Sequence, residues 1–408
     1  MDARRPAPFT IPLTLFGTFT ENIWDAIYGG IWAQLPHNPS FEPDYLSVQN
    51  TLDAARYGRL VTDPSFGSGF VRVEPLTDEP KPGRFVRSSS VGLPLPWEPL
   101  RPAGVRYELR DGDRANSNRS LLLMGLANRE IGVRQGLYLP AHRTRRYTGS
   151  FWVRVPDSMA GTVPVSLGIS LRRRDRPDNR LANTSVPVTS TRWTRYEFAL
   201  NLPTDSIAPL ERLDFVLSLD GERRVLLDNV LLWPTDHAEG FDPEVLAAAR
   251  QLRTPLLRFG GNFVSGYHWF DGVGDPEQRR TMLNQAWGLP EYNHFGTNEF
   301  IRLCRLIGAE SQISVNAGSG EPAEAAAWVE YCNGALISQA RPQLDLLSTH
   351  LVIGMQPGEQ QRAGVDQAFT HVADLAVPVG VGRRLDQMRG QLAADPRTAD
   401  RVKLAFTE

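Results

Sequence analysis

The sequence predicts an α/β fold: an incomplete (β/α)8 TIM-type barrel with an inserted all-β jelly-roll or sandwich module. Three observations predict it. Through residues 103–235, short apolar runs recur between Gly, Pro, Asn and Asp, with no stretch of helical period. From 236 onward the period changes, and short apolar runs alternate with amphipathic stretches. An apolar run, Ile11 to Phe19, stands before the all-β stretch and supplies the first strand of the α/β part. The β unit therefore interrupts the α/β unit.

Composition bounds the function. A chain of 408 residues predicts two or three domains at about 100–200 residues each. With 41% hydrophobic and 22% charged residues, disorder is excluded as the main state. A net charge of -2 argues against a nucleic-acid partner, which asks for a basic surface. Cys304 and Cys332 are too few for a disulfide framework and sit on apolar helix faces, so both are expected in the core. No run of 18 apolar residues occurs, so no membrane span is expected. The opening MDARRPAPFTIPL has no continuous apolar core of a signal peptide, and the cytoplasm is the default expectation. Oligomeric state is open.

The elements follow in order. Residues 1–60 form a first barrel segment, in which the apolar run ends at Glu21-Asn22 and is followed by Trp24, Tyr28 and Trp32. Residues 61–102 are rich in Pro and Gly and read as a linker. In 103–235, strands are expected at Val105–Leu109, Leu121–Met124, Gly136–Leu139, Tyr147–Val155, Val163–Leu171, Trp193–Leu200, Leu213–Leu219 and Val225–Leu232. Trp152, Trp193 and Trp233 alternate with apolar residues and belong to packing. Trp97, Tyr107 and Tyr138 are the candidate aromatic platforms, and Arg172-Arg173-Arg174 reads as a solvated turn. Residues 236–408 form the remaining barrel segment. Asp242-Pro243-Glu244 gives an N-cap, a proline at N1 and an acid in the first turn. A strand at Pro255 to Phe259 ends in Gly260-Gly261-Asn262. A helix follows Thr297, a strand spans Gln312 to Val315, and Glu321-Pro322 opens a third helix. Further strands are expected at Leu344 to Leu347 and Val402 to Phe406.

The sequence has no P-loop, GxSxG, HExxH or CxxC, and its seven His lack metal-ligand spacing. Polar and aromatic residues instead gather at strand C-termini: Glu21-Asn22, the stretch from Gly260 to Trp269, Asn316, His350 and Glu408. That edge is where a (β/α)8 barrel carries its site. Carboxylates and amides that bond hydroxyls, beside aromatics that cover a ring face, suit a sugar. Such chemistry needs two carboxyls and water, hence no cofactor and no metal.

The stretch RFGGNFVSGYHWFDGVG, then Ala286 to Gly288 and FGTNEF, resembles glycoside hydrolase family 51, the retaining α-L-arabinofuranosidases. Ile307 to Gly334, Phe16 to Trp32 and Leu344 to His350 extend the resemblance. RYTGSFWVR, TRWTRYEFAL and LLDNVLLWP in the β unit are similar to family 4/9 carbohydrate-binding modules. The resemblance implies a hydrolase that releases terminal α-L-arabinofuranosyl groups from arabinan or arabinoxylan-type glycans, so an arabinose-containing oligo- or polysaccharide is the implied partner. It implies substrate-binding roles for Glu21, Asn262, Trp287 and His350, and the nucleophile for Glu408.

The sequence also departs from the family pattern. The family's acid/base glutamate follows an Asn at the end of strand four. Here the Asn-Glu pair is Asn298-Glu299, at a helix start, so no acid/base is found. Strand four, its helix and strand five have no room between Gly334 and Leu344. An internally shortened, C-terminally truncated barrel is expected, and with it impaired catalysis; the alternatives are a non-catalytic carbohydrate-binding protein and a truncated gene product.

Overall fold

The computed structural model describes residues 12–23, 25–42, 58–62, 71–75, 93–94, 96–101, 107–204, 207–284, 286–287, 289–334, 346–350, 382–383, 385–390, 392–394 and 403–406. Along the chain, β1 is Thr18–Thr20, and β2 (Gly58–Thr62) pairs with β3 (Val71–Pro75) as an antiparallel hairpin. The next ten strands are β4 (Glu98–Pro99), β5 (Glu108–Asp111), β6 (Arg119–Met124), β7 (Glu130–Tyr138), β8 (Arg146–Arg154), β9 (Val165–Arg173), β10 (Arg176–Val188), β11 (Thr194–Asn201), β12 (Arg212–Asp220) and β13 (Arg224–Pro234). Then come α1 (Pro243–Gln251), β14 (Leu256–Phe259), β15 (Met282–Asn284), β16 (Leu289–Glu291), α2 (Thr297–Ile307), β17 (Glu310–Asn316), α3 (Pro322–Asn333), β18 (Leu346–His350) and β19 (Lys403–Phe406).

The chain divides into two compact units. One comprises 1–22, 246–270 and 296–408; the other comprises 23–245 and 271–295. In the first, β1, β14, β17, β18 and β19 form one five-stranded sheet in that order, with every neighbouring pair parallel. Strands joined in sequence order through helices are the signature of a barrel wall. β17 pairs directly with β18, Asn316 opposite His350, so no strand stands between them. The incomplete barrel expected from the short 335–343 interval is therefore seen in the pairing itself.

The helices of this unit start where local chemistry dictates. In α2, the Glu299 carboxylate accepts the Gly296 N–H at 2.9 Å, half of a capping box. Gly308, at φ 78°, ends the helix in the left-handed region that glycine tolerates. Pro322 starts α3, where a missing N–H costs nothing. Cys304 and Cys332 are buried on the inner faces of α2 and α3, as expected, and burial pushes both thiols up.

The second unit is a sandwich of two five-stranded sheets, ordered β10-β9-β12-β7-β4 and β11-β8-β13-β6-β5. Inward residues such as Leu121, Val133, Phe151, Leu167, Phe215 and Leu227 fill the space between them. Eight strands overlap the expected runs, although β7 begins at Glu130, six residues before the expected Gly136. β10 was not expected, because its alternation is carried by few apolar residues and it contains Pro177 and Pro187. As an edge strand it tolerates proline.

Three expectations are corrected here. Trp97 and Tyr107 are core residues, not platforms: Trp97 is fully buried with its Nε1–H on the Asn38 carbonyl, and the Tyr107 hydroxyl donates to the Gly132 carbonyl. Only Tyr138 of the three is exposed. Arg172 is no solvated turn residue. It lies buried in β9 with its Nη1 2.9 Å from Glu130 Oε2, and its Nε donates to Ser170 Oγ. The stretch drawn as a linker also contributes β4 and the buried Leu93, Trp97 and Leu100 to the sandwich unit.

Residues 23–42 and 271–295 cluster with the sandwich as well. Trp32 makes edge contacts with Trp233 at 5.4 Å and Phe241 at 5.5 Å. Glu277 accepts from Trp152 Nε1 at 3.0 Å and from Arg195 Nε at 2.9 Å, which fastens 271–295 to β8 and β11. The N-cap expected at Asp242 is present: its Oδ1 accepts the N–H groups of Glu244 and Val245 at 2.9 and 3.1 Å. Among the described residues, no helix is long and apolar enough to cross a membrane.

Candidate active site at the sheet edge

All five parallel strands of the first unit point their C-termini to one edge. Glu21 and Asn22 follow β1 and are buried. The Gly260 N–H donates to the Thr20 carbonyl at 3.1 Å, so the turn after β14 is laced to the end of β1. Gly260 has φ +144°, and a Cβ there would stand 2.6 Å from Ser314 Cβ on β17. Gly261 lies flat against the Glu21 carboxyl, since a Cβ at Gly261 would fall 2.2 Å from Glu21 Cδ. The Phe263 N–H points to Glu21 Oε2 at 3.4 Å. Two glycines are thus required for one reason: a carboxylate and a neighbouring strand occupy the space that side chains would take.

Asn262 is the first residue of a 3-10 turn, Asn262–Gly266, and is half-buried beside that carboxylate. The turn is held from below by rings. Phe259 contacts Phe263 at 5.4 Å and Tyr267 at 5.9 Å, and stacks on Phe300 of α2 at 5.2 Å. Trp269 stacks on Trp328 of α3 with planes 7° apart, and its Nε1–H donates to the Glu324 carbonyl. Such contacts fix the loop on two helices and so place Asn262.

Asn316, at the end of β17, is committed to its own loop. Its Nδ2 donates to the Tyr267 carbonyl at 3.2 Å and to Ser319 Oγ at 2.9 Å, and its Oδ1 accepts the Gly318 and Ser319 N–H groups. That is an Asx turn which keeps the β17–α3 loop against the 262–268 loop. His350 is the last residue of β18, opposite Asn316 in register. Glu408 lies outside the described residues. Trp287 belongs to the other compact unit, half-buried, with its N–H on Asn284 Oδ1 at 3.3 Å. The first unit therefore brings Glu21, Asn262 and the backbone position of His350 to one sheet edge.

One polar chain on this edge was not legible in the sequence. Ser319 Oγ is 3.4 Å from His268 Nε2, and His268 Nδ1 is 3.1 Å from both Glu324 carboxylate oxygens. More than 50 positions separate His268 from its two partners, so no local motif announces it.

The chain is similar to several known proteins. The alpha-L-arabinofuranosidase 1 domain family matches residues 248–345. A probable alpha-L-arabinofuranosidase C from Aspergillus fumigatus is 48% identical over 102 residues, 25% of this chain and 20% of the relative. An intracellular exo-alpha-L-arabinofuranosidase from Bacteroides ovatus is 43% identical over 107 residues, 24% of this chain and 21% of that one. The matched region thus spans about a fifth of the length of these curated relatives. Among solved structures, the arabinose-bound MgGH51 α-L-arabinofuranosidase aligns over 98% of this chain and 59% of its own, with a TM-score of 0.66 at 16% identity. That likeness is one of fold.

Proposed function

We propose that this chain, a relative of the family 51 α-L-arabinofuranosidases, acts at the C-terminal edge of its parallel sheet as an α-L-arabinofuranosidase-type glycoside hydrolase on terminal α-L-arabinofuranosyl groups of arabinan- or arabinoxylan-type glycans. The observation that carries this reading is the buried Glu21 carboxylate, seated against Gly261 beside Asn262 in the turn that the family match includes. A fixed carboxylate and an adjacent amide are what a furanose hydroxyl pair asks for. In this reading Glu21 and Asn262 bind the sugar and His350 stands at the end of β18, while Trp287 keeps the substrate-binding role that the family resemblance implies.

Retaining hydrolysis uses a carboxylate nucleophile and a second carboxyl about 5–5.5 Å away as acid and then base. Glu408, two positions after the end of β19 in the sequence, is the nucleophile of this reading. The inserted sandwich would hold the glycan chain as a carbohydrate-binding-like module, with Tyr138 as its exposed aromatic.

Two measurements on the full chain test the proposal. Release of p-nitrophenol from the aryl α-L-arabinofuranoside is expected, with loss in a Glu408→Gln variant. Calorimetric binding of L-arabinose is expected, weakened in Asn262→Ala. Arabinose binding without turnover would leave a carbohydrate-binding protein; neither signal would sink the proposal.

A further inference from the structure

We propose that Ser319, His268 and Glu324 form a nucleophilic triad that hydrolyses carboxylic esters, a second activity on the same sheet edge. Ser319 is an exposed residue, and its Oγ is 3.4 Å from His268 Nε2. On the other side of the ring, Nδ1 is 3.1 Å from the Glu324 carboxylate, whose side chain is only 14% exposed. A nucleophile, a base and a group that orients the base are the three parts such chemistry needs, and nucleophile–base distances are commonly somewhat long before substrate arrives.

The local backbone suits the same task. Ser319 lies in the tight turn between β17 and α3, flanked by Gly318 and Gly320. A strand–turn–helix placement lifts a serine clear of the sheet. Both glycines are sterically required, because a Cβ at Gly318 would stand 2.4 Å from the Ser265 carbonyl and one at Gly320 would stand 2.6 Å from that of Asn316. The Gly320 N–H, next in sequence to the nucleophile, donates to no group among the described residues. That is the backbone donor which stabilises the oxyanion in strand–turn–helix hydrolases.

Two other groups touch the serine oxygen. Asn316 Nδ2 donates to it at 2.9 Å, and the Ser265 carbonyl lies 3.3 Å away as an alternative acceptor for its proton. The Asn316 bond favours negative charge developing on Oγ during attack.

In the reaction, Ser319 Oγ bonds to the ester carbonyl carbon while its proton passes to His268 Nε2. The tetrahedral oxyanion collapses, the carbon–oxygen bond to the alcohol breaks, and the alcohol leaves with the proton from His268. Water then attacks the acyl-serine, His268 takes its proton, and the carboxylic acid leaves as Ser319 recovers its hydrogen. Glu324 holds the Nδ1–H side of the ring throughout, so it is the positioning residue of the three.

The test uses the full chain and does not depend on arabinofuranoside hydrolysis, so either activity can fail alone. Native protein is treated with diisopropyl fluorophosphate and its peptides are mapped by mass spectrometry. The expected result is one phosphoryl adduct, on Ser319, absent after His268→Ala. With p-nitrophenyl acetate, His268→Ala is expected to lose about 10²–10⁴-fold in rate, and Ser319→Ala to fall to the buffer rate. Glu324→Gln should move the pH profile as well as the rate, which a purely structural contact would not do. An unmodified Ser319 in protein with a cooperative thermal melt overturns the proposal, as does a Ser319→Ala variant that keeps the esterase rate.

Discussion

Glu21 and Gly261 are packed so closely that a single added carbon would collide with the carboxyl group: a Cβ on Gly261 would lie 2.2 Å from Glu21 Cδ. Gly261 has extended backbone, so its side-chain-free state is required by space and not by φ. Gly261→Ala must therefore push the carboxylate or the turn away. Overpacking of this kind costs about 1–3 kcal/mol. A lower thermal midpoint together with weakened L-arabinose binding is expected; an unchanged affinity would show that Glu21 does not contact the sugar.

Glu21→Gln keeps the shape and removes the charge. A hydrogen bond to a charged group contributes about 1.5–3 kcal/mol, so affinity for L-arabinose should fall by about 10–10²-fold. The thermal midpoint should change little, since Oε1 of the glutamine can still accept the Phe263 N–H. Isothermal titration of both proteins decides this, and equal affinities would assign Glu21 to loop support alone.

His294 predicts an acid limit for the sandwich unit. Burial, aided by the nearby Arg279 charge, lowers its pKa to about 3 from an ordinary value near 6.5. The folded state then keeps it neutral while the unfolded chain protonates it. Stability is full above about pH 6.5 and is lost as pH falls from there toward 3, with a slope of at most about 1.4 kcal/mol per pH unit. In urea titrations at several pH values, His294→Gln should show a flatter profile below pH 6.5. Parallel profiles would mean that the ring is not held neutral.

The Arg172–Glu130 pair acts in a lower window. Burial opposes ionisation of Glu130, but the bonds from Arg172 and Ser218 and the charges of Arg172 and Arg180 outweigh it and hold the carboxyl down to about 2. Its contribution is present above the unfolded value near 4.5 and is lost as pH falls from there toward 2. Arg172→Met leaves Glu130 without its buried partner, and about 3–5 kcal/mol should be lost at pH 7. Replacing both residues with apolar ones should recover much of that loss. A double variant as weak as the single one would contradict the desolvation argument.

Much of the fold was legible because it depends on local period. The alternation in Tyr147–Val155 and Leu213–Leu219 gave strands, and Asp242-Pro243-Glu244 and Glu321-Pro322 gave helix starts, since capping is decided within four residues. β10 was missed because an edge strand does not need an apolar face on every alternate residue. The burial of Arg172 is not legible locally, because three arginines in a row look solvated until Glu130, 42 positions away, is folded beside one of them.

By itself the sequence determined the class of each segment, the strand ends where polar residues gather, and the glycines at 260 and 261 that the site's turn requires. Only the tertiary structure decided which polar groups meet. It set Glu21 against Gly261 across 240 positions of sequence. It also placed Asn316 in a loop-building role, buried Trp97 and Tyr107 in the sandwich core, and joined Ser319 to His268 and Glu324. The physical reason is range. Period, caps and turns are fixed by neighbours within a few residues, whereas hydrogen-bond partners and packed rings are chosen by the sheet order, which brings distant strand ends to one edge.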